Sequence, residues 1–233
     1  MDISKERVVV LGGTSGIGYA TAEAAAAQGA EVIVVSSSRS RVDEASQALD
    51  VVGEVVDLTD SDAVDGFFAG LGQLDHMVYT AGESLSLMPI ADFDLVRARG
   101  FFGLRYFGAL TAVRAAAPRI RAGGSITLTT GTAGDRPTAG WSVAASICGA
   151  VDSLTRALAV ELAPIRVNAV KPGVTRSPMW GADAGAFLDE TAGSLPLGRV
   201  GEVTDVADAY LYLIGQRFTT GTILTVDGGT LLA

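Results

Sequence analysis

The chain has a single cysteine, Cys148, and a single histidine, His76, among its 233 residues. One thiol excludes an internal disulfide framework, and one thiol with one imidazole falls short of a structural zinc site, so no metal is expected. Lysine is almost missing, present only as Lys5 and Lys171. Seventeen basic against 26 acidic residues give a formal charge of −9 and a pI near 4.6. That balance argues against nucleic acid and against an anionic membrane surface as partners. Met1-Asp2-Ile3-Ser4-Lys5-Glu6 lacks a signal-peptide pattern, and no apolar run is read as reaching membrane-spanning length. A soluble, cytoplasmic protein in a reducing compartment is expected.

Glycine, in contrast, is plentiful at 29 residues, and 48% of the chain is hydrophobic with a mean hydropathy of +0.37. This suits one α/β domain over residues 1–233, with apolar surface left for subunit contacts. The organising stretch is Val8-Val9-Val10-Leu11-Gly12-Gly13-Thr14-Ser15-Gly16-Ile17-Gly18, followed by an alanine-rich helical segment. Strand, glycine turn and helix together present free backbone N–H groups to a phosphate. Gly12 permits the tight turn, Gly16 lets backbone approach a pyrophosphate, and Gly18 lets helix and sheet pack closely. The spacing reads as dinucleotide binding.

Further strands are read at 31–35, 51–56, 74–79, 125–129, 166–170 and 222–226. Helices are read at about 42–49, 61–71, 94–120, 143–162 and 203–214, with residues 172–200 as a loop-rich excursion. The alternation predicts a doubly wound, mostly parallel sheet with helices on both faces. Ligands of such sheets lie at the carboxyl ends of the strands, here Gly12, Ser36, Asp57, Thr80, Thr130 and Lys171.

Five landmarks then give the chain a resemblance to the short-chain dehydrogenase/reductase family over essentially its whole length. They are Gly12 to Gly18; Asp57-Leu58-Thr59; Ala81-Gly82; Ile165-Arg166-Val167-Asn168-Ala169-Val170-Lys171-Pro172-Gly173; and Val226-Asp227-Gly228-Gly229. The resemblance implies a Rossmann-type sheet of about seven strands and a nicotinamide cofactor. Gly12, Thr14, Ser15, Gly16, Ile17 and Gly18 would hold its pyrophosphate, and Asp57 and Leu58 would meet the adenine. Ala81 and Gly82 would lie along the ribose, and Pro172, Gly173, Val174 and Ser177 would hold the carboxamide side. The alternative for Asp57 is an acid placed before a helix N-terminus, with the cofactor reading favoured within this motif. NAD-preferring members resemble one another in an acidic residue after the second strand. This chain has Ser36, Ser37 and Ser38 there, with Arg39 and Arg41 behind. Hydroxyls with a guanidinium suit a phosphate, so NADP(H) is favoured over NAD(H), with Ser37 and Arg39 as contacts; otherwise both arginines are solvated helix-start residues.

The resemblance fails at the family's catalytic Asn, Ser, Tyr and Lys. Residues 154–162 set the helix register, which puts Ala144 at the Tyr place, Cys148 at the Lys place and Gly131 at the Ser place. Arg105 takes the Asn place. No alignment slip restores them: neither lysine lies on that helix, and no tyrosine occurs between Tyr106 and Tyr210. Losing a positioned general acid removes a factor of roughly 10² to 10⁴. Three readings follow: a reductase of an iminium, quinone-like or conjugated acceptor that needs no tyrosine proton; a non-catalytic NADP(H)-binding protein; or a lyase or cyclase in the vacated pocket. In the first, Arg105 steadies developing negative charge.

Thr129, Thr130 and Thr132 surround Gly131, and one hydroxyl stands in for the serine unless all are turn residues. Trp141 reads as substrate wall or interface, and Ser142 as a helix N-cap. Cys148 reads as a packed thiol rather than a nucleophile. Lys171 either holds a carboxylate or phosphate or turns its stem to the surface, and His76 lies away from the chemistry. Residues 174–200, with Pro178, Met179, Trp180, Phe187 and Leu188, are read as a lid over a small hydrophobic substrate. The helices around Arg105 and Val151 and the apolar residues 230–233 predict a homodimer or homotetramer.

Overall fold

A computed structural model describes residues 3–85 and 87–233. Met1 and Asp2, which open the stretch read above for a leader, lie outside the described residues. The chain runs β1 (Arg7–Leu11), α1 (Gly16–Ala27), β2 (Glu31–Ser36), α2 (Arg39–Leu49), β3 (Val52–Val55), α3 (Ser61–Leu71) and β4 (Leu74–Tyr79). It continues through α4 (Leu95–Phe102), α5 (Ala109–Ala116), β5 (Ile120–Thr129), α6 (Ser142–Glu161), β6 (Arg166–Pro172) and β7 (Thr175–Arg176). Last come α7 (Gly185–Ser194), β8 (Gly201–Glu202), α8 (Val203–Gly215) and β9 (Ile223–Val226).

Seven strands pair in parallel in the order β3-β2-β1-β4-β5-β6-β9. β1 is buried on both faces, which is why it reads as an unbroken apolar run rather than an alternating one. Its odd and even residues feed two cores. Val9 and Leu11 join Met77, Phe68, Ile126 and Val151 beneath α3 to α6, while Val8 and Val10 join Val78, Ala22 and Tyr210 beneath α1 and α8. The strand order reverses between β1 and β4, and the crevice of a doubly wound sheet opens at that switch point.

Four expectations need correcting. Residues 94–120 are not one helix: a π-helical stretch, Gly103–Gly108, joins α4 to α5. Residues 172–200 hold α7 and the short β7–β8 ladder, because Leu188, Leu195 and Val200 form their own cluster against Val174 and Trp180. Ser142 does not cap α6; Trp141 holds the N-cap position, and the Ser142 carbonyl accepts from Ser146 Oγ at 2.8 Å. By length and composition alone α6, at 20 residues, also reaches membrane-spanning size, against the reading above. Its face of Ile147, Val151, Thr155 and Leu158 is buried in the fold.

The amino ends of the strands are closed by polar groups. His76 sits between Ser125 Oγ and Glu6 Oε2, each 2.8 Å from a ring nitrogen. Burial pushes its pKa down, opposed by Glu6. Arg166 donates to the carbonyls of Leu213, Ile214 and Gln216 at 2.7 to 2.8 Å, satisfying the C-terminal turn of α8.

Candidate functional site

A cleft of about 680 Å³ runs across the carboxyl ends of the strands. At its centre the β1–α1 turn is pressed against the end of β4. Gly12 has φ +88°, and a Cβ there would stand 2.6 Å from the Ala81 nitrogen. A Cβ on Gly18 would run into the Gly12 carbonyl oxygen and the Thr80 hydroxyl. Gly16, at φ +54°, needs glycine for its left-handed backbone rather than for contact. The Thr80 hydroxyl donates to the Leu11 carbonyl at 3.1 Å and so ties the end of β4 to the end of β1. Thr14, Ser15 and Ile17 line the same cradle, and the Ser15 side chain leaves the first-turn N–H groups of α1 uncapped. Backbone that tolerates no Cβ, below an open helix N-terminus, fits a dinucleotide pyrophosphate.

At one end of the cleft stand Ser36, Ser37, Arg41, Asp57 and Leu58. Arg39 is not among the lining residues. α2 begins at Arg39, whose exposed guanidinium lies 3.6 Å from Asp43 one turn on, so the basic residue at the cleft is Arg41. Asp57 Oδ1 accepts from the hydroxyl and the backbone N–H of Thr59 at 2.7 and 2.9 Å, which hold its carboxyl below the usual range. Asp60, not Asp57, caps α3 by accepting from Asp62 and Ala63. Asp57 is thereby left to the cleft.

At the other end Ala81, Gly82, Pro172, Gly173, Val174 and Ser177 line the wall together with Gly131, Ala144 and Cys148. A Cβ on Gly131 would lie 3.2 Å from Cys148 Sγ. Burial, then the charge of Asp152, pushes the Cys148 thiol up, as suits a packed thiol. Arg105 lies across Gly82 and donates from Nε to Glu83 Oε2 at 3.1 Å and from Nη2 to the Glu83 carbonyl. Neither Glu83 nor Tyr79 stood out as a pocket residue in the sequence. The Tyr79 hydroxyl donates to the Leu104 carbonyl at 2.5 Å, in room left by Gly108, and burial pushes its pKa up. Its proton is tied to the π-helical stretch.

Lys171 is neither in the cleft nor at the surface. Its ammonium is buried against α6, 2.7 Å from Asp152 Oδ2 and bonded to Asp135. Burial alone would lower its pKa, but these two carboxylates outweigh it and the net direction is up. Trp141 and Trp180 wall the opening with ring centroids 6.2 Å apart, and Phe187 backs Trp180 at 5.0 Å. Pro178 and Met179 also line the cleft, whereas Leu188 is buried beneath α7. Among the described residues no cluster of His, Cys, Asp or Glu is placed to hold a metal ion.

A parallel doubly wound sheet with a glycine cradle at its switch point defines a Rossmann-type nucleotide-binding scaffold. The family model described as enoyl-(acyl carrier protein) reductase matches residues 12–230. A short-chain dehydrogenase/reductase of Stachybotrys chlorohalonatus is 37% identical, covering 99% of this chain and 98% of its own. Two solved structures are similar over 99% of this chain. One, a small-chain dehydrogenase in complex with NADPH, is 36% identical with a TM-score of 0.88 and is covered over 100% of its length. The other, the MalC reductase/Diels-Alderase of Malbranchea aurantiaca, is 29% identical with a TM-score of 0.92 and is covered over 98%. The chain belongs to the short-chain dehydrogenase/reductase family.

Proposed function

We propose that this protein is an NADP(H)-linked reductase of small, flat, hydrophobic acceptors that take up hydride without a tyrosine proton. One observation carries the reading: a nucleotide cradle and the residues Gly131, Ala144 and Cys148 wall a single cleft. The first can bind cofactor, and the second offers no phenol or ammonium for the family's proton delivery. Suitable acceptors are iminium ions, quinone-like rings and conjugated systems.

When bound, the nicotinamide cofactor supplies hydride. Gly12 to Gly18 hold its pyrophosphate through backbone N–H groups, and Asp57 and Leu58 meet the adenine. Ser37 and Arg41 take the 2′-phosphate, a preference supported by the NADPH complex of the similar dehydrogenase. Arg105, oriented by Glu83, places positive charge at the substrate end, where negative charge develops. Residues 174–200 act as the lid, with Met179 and Trp180 excluding water. The exposed Leu95, Val96 and Phe107 of the α4–α5 region suit contact with a second copy, giving a homodimer or homotetramer.

The test is NADPH oxidation by purified protein with menadione, a cyclic iminium salt and a simple ketone. Turnover is expected with the first two, and slower by roughly 10² to 10⁴ with the ketone. Ordinary ketone reduction would overturn the mechanism. Tighter binding of NADH than NADPH would overturn the cofactor assignment.

A further inference from the structure

The three threonines around Gly131 have separate fates. The Thr129 hydroxyl donates to the Tyr79 carbonyl at 2.6 Å and meets the Tyr210 hydroxyl at 2.5 Å. The Thr130 hydroxyl donates to the Cys148 carbonyl at 3.0 Å. Both are engaged by the fold. Thr132 is only 8% exposed and lines the cleft, yet its hydroxyl has no hydrogen-bond partner among the described residues. The sealed, unpartnered side-chain atoms among the described residues are Thr127 Oγ1, Asp152 Oδ1 and Arg166 Nε, so the Thr132 oxygen is open to the cleft. It is free to bond to what enters there.

The surroundings narrow what enters. Cys148 Sγ fills the space beside Gly131, and a buried, protonated thiol is a weak donor. Trp141 and Trp180 are the only tryptophans of the chain, and both line the cleft. The Trp180 indole is fixed by donation to the Thr175 carbonyl at 2.8 Å. A rigid aromatic wall and one unused hydroxyl donor together select a flat ring bearing an acceptor oxygen.

We infer that Thr132 is the substrate-anchoring residue, its hydroxyl donating to a carbonyl-type oxygen of a flat, unsaturated substrate stacked against Trp141 and Trp180. For the fate of that substrate the inference rests on the reductase reading; for its binding it does not. A bound reduced nicotinamide would supply hydride to the carbon conjugated with the oxygen, with the displaced π pair moving onto the oxygen held by Thr132. The Thr132 hydrogen bond strengthens as that charge appears. The resulting enolate takes its proton from solvent, the substrate being reduced and the nicotinamide oxidised.

Protein loaded with NADP⁺, which cannot transfer hydride, is titrated with coumarin and with the apolar bicycle indene, followed by calorimetry and by quenching of the two tryptophans. Wild type is expected to bind coumarin about tenfold more tightly than indene. Thr132→Val should erase that preference by weakening coumarin alone, while Thr132→Ser retains it. Equal binding of both probes by wild type, or an undiminished preference in Thr132→Val, overturns the anchor. Menadione with NADPH then separates the two claims. Thr132-dependent coumarin binding without NADPH oxidation removes the reductase reading and leaves the anchor. NADPH oxidation with an unchanged menadione KM in Thr132→Val removes the anchor and leaves the reductase.

Discussion

The two ends of the cleft are built by opposite means. The cofactor end is held by backbone: Gly12 and Gly18 sit where a Cβ has no room, and the recognition groups are main-chain N–H donors. The substrate end is defined by side chains, and there Gly131, Ala144 and Cys148 carry neither phenol nor ammonium. Backbone recognition depends on the fold itself, whereas side-chain chemistry can be removed without moving the frame. A protein can therefore keep its hold on a nucleotide while its reaction is changed outright.

The strongest way to break this contrast is to rebuild the substrate end. The combined change Gly131→Ser, Ala144→Tyr and Cys148→Lys should raise simple-ketone reduction by roughly 10²-fold or more, with NADPH affinity unaltered by calorimetry. No gain would mean that the open end is not what limits ketone turnover. Next comes the buried ion pair beneath it. Lys171→Met leaves Asp152 buried without its counter-charge and should lower stability in urea by about 3–5 kcal/mol. Asp152→Leu added to it should restore most of the stability.

At the cofactor end Gly18→Ala should destabilise by about 3 kcal/mol, since the added methyl meets backbone that cannot yield. NADPH binding should fall with it. The smallest of these effects sharpens the nucleotide preference. Arg41→Ala should weaken NADPH binding about tenfold and leave NADH untouched, while Arg39→Ala should change neither.

These contrasts also mark what was legible in the sequence. The cradle was, because each glycine there answers a local demand of turn or contact. β1 and β2 were, because strands buried on both faces carry unbroken apolar runs, which the half-exposed edge strands β3 and β9 do not share. That Arg41 rather than Arg39 lines the cleft was not legible, because the start of α2 was read at 42 and both arginines were left in a turn without a helical face. Lys171 was ambiguous because its two partners come from a turn and from α6, 36 and 19 residues away. Thr132 was indistinguishable from Thr129 and Thr130 for the same reason: the Tyr210 hydroxyl that engages Thr129 lies 81 residues on. α7 escaped notice because Gly185 and Gly193 lie near its ends, and its stability comes from the cluster under Leu188.

The chain's one imidazole is locked at the far edge of the sheet, between Glu6 and Ser125. In the cleft, Cys148 and Tyr79 titrate later than usual and Asp57 earlier, all displaced away from neutrality. Turnover is therefore expected to hold level from about pH 6.5 to 8. Below the unfolded histidine's pKa of 6.5, the depressed folded value makes the unfolded chain the better proton acceptor, so stability drains away as acidity rises. An acid limb in the rate should then coincide with loss of ellipticity, a signature of the scaffold giving way rather than of a group at work on substrate.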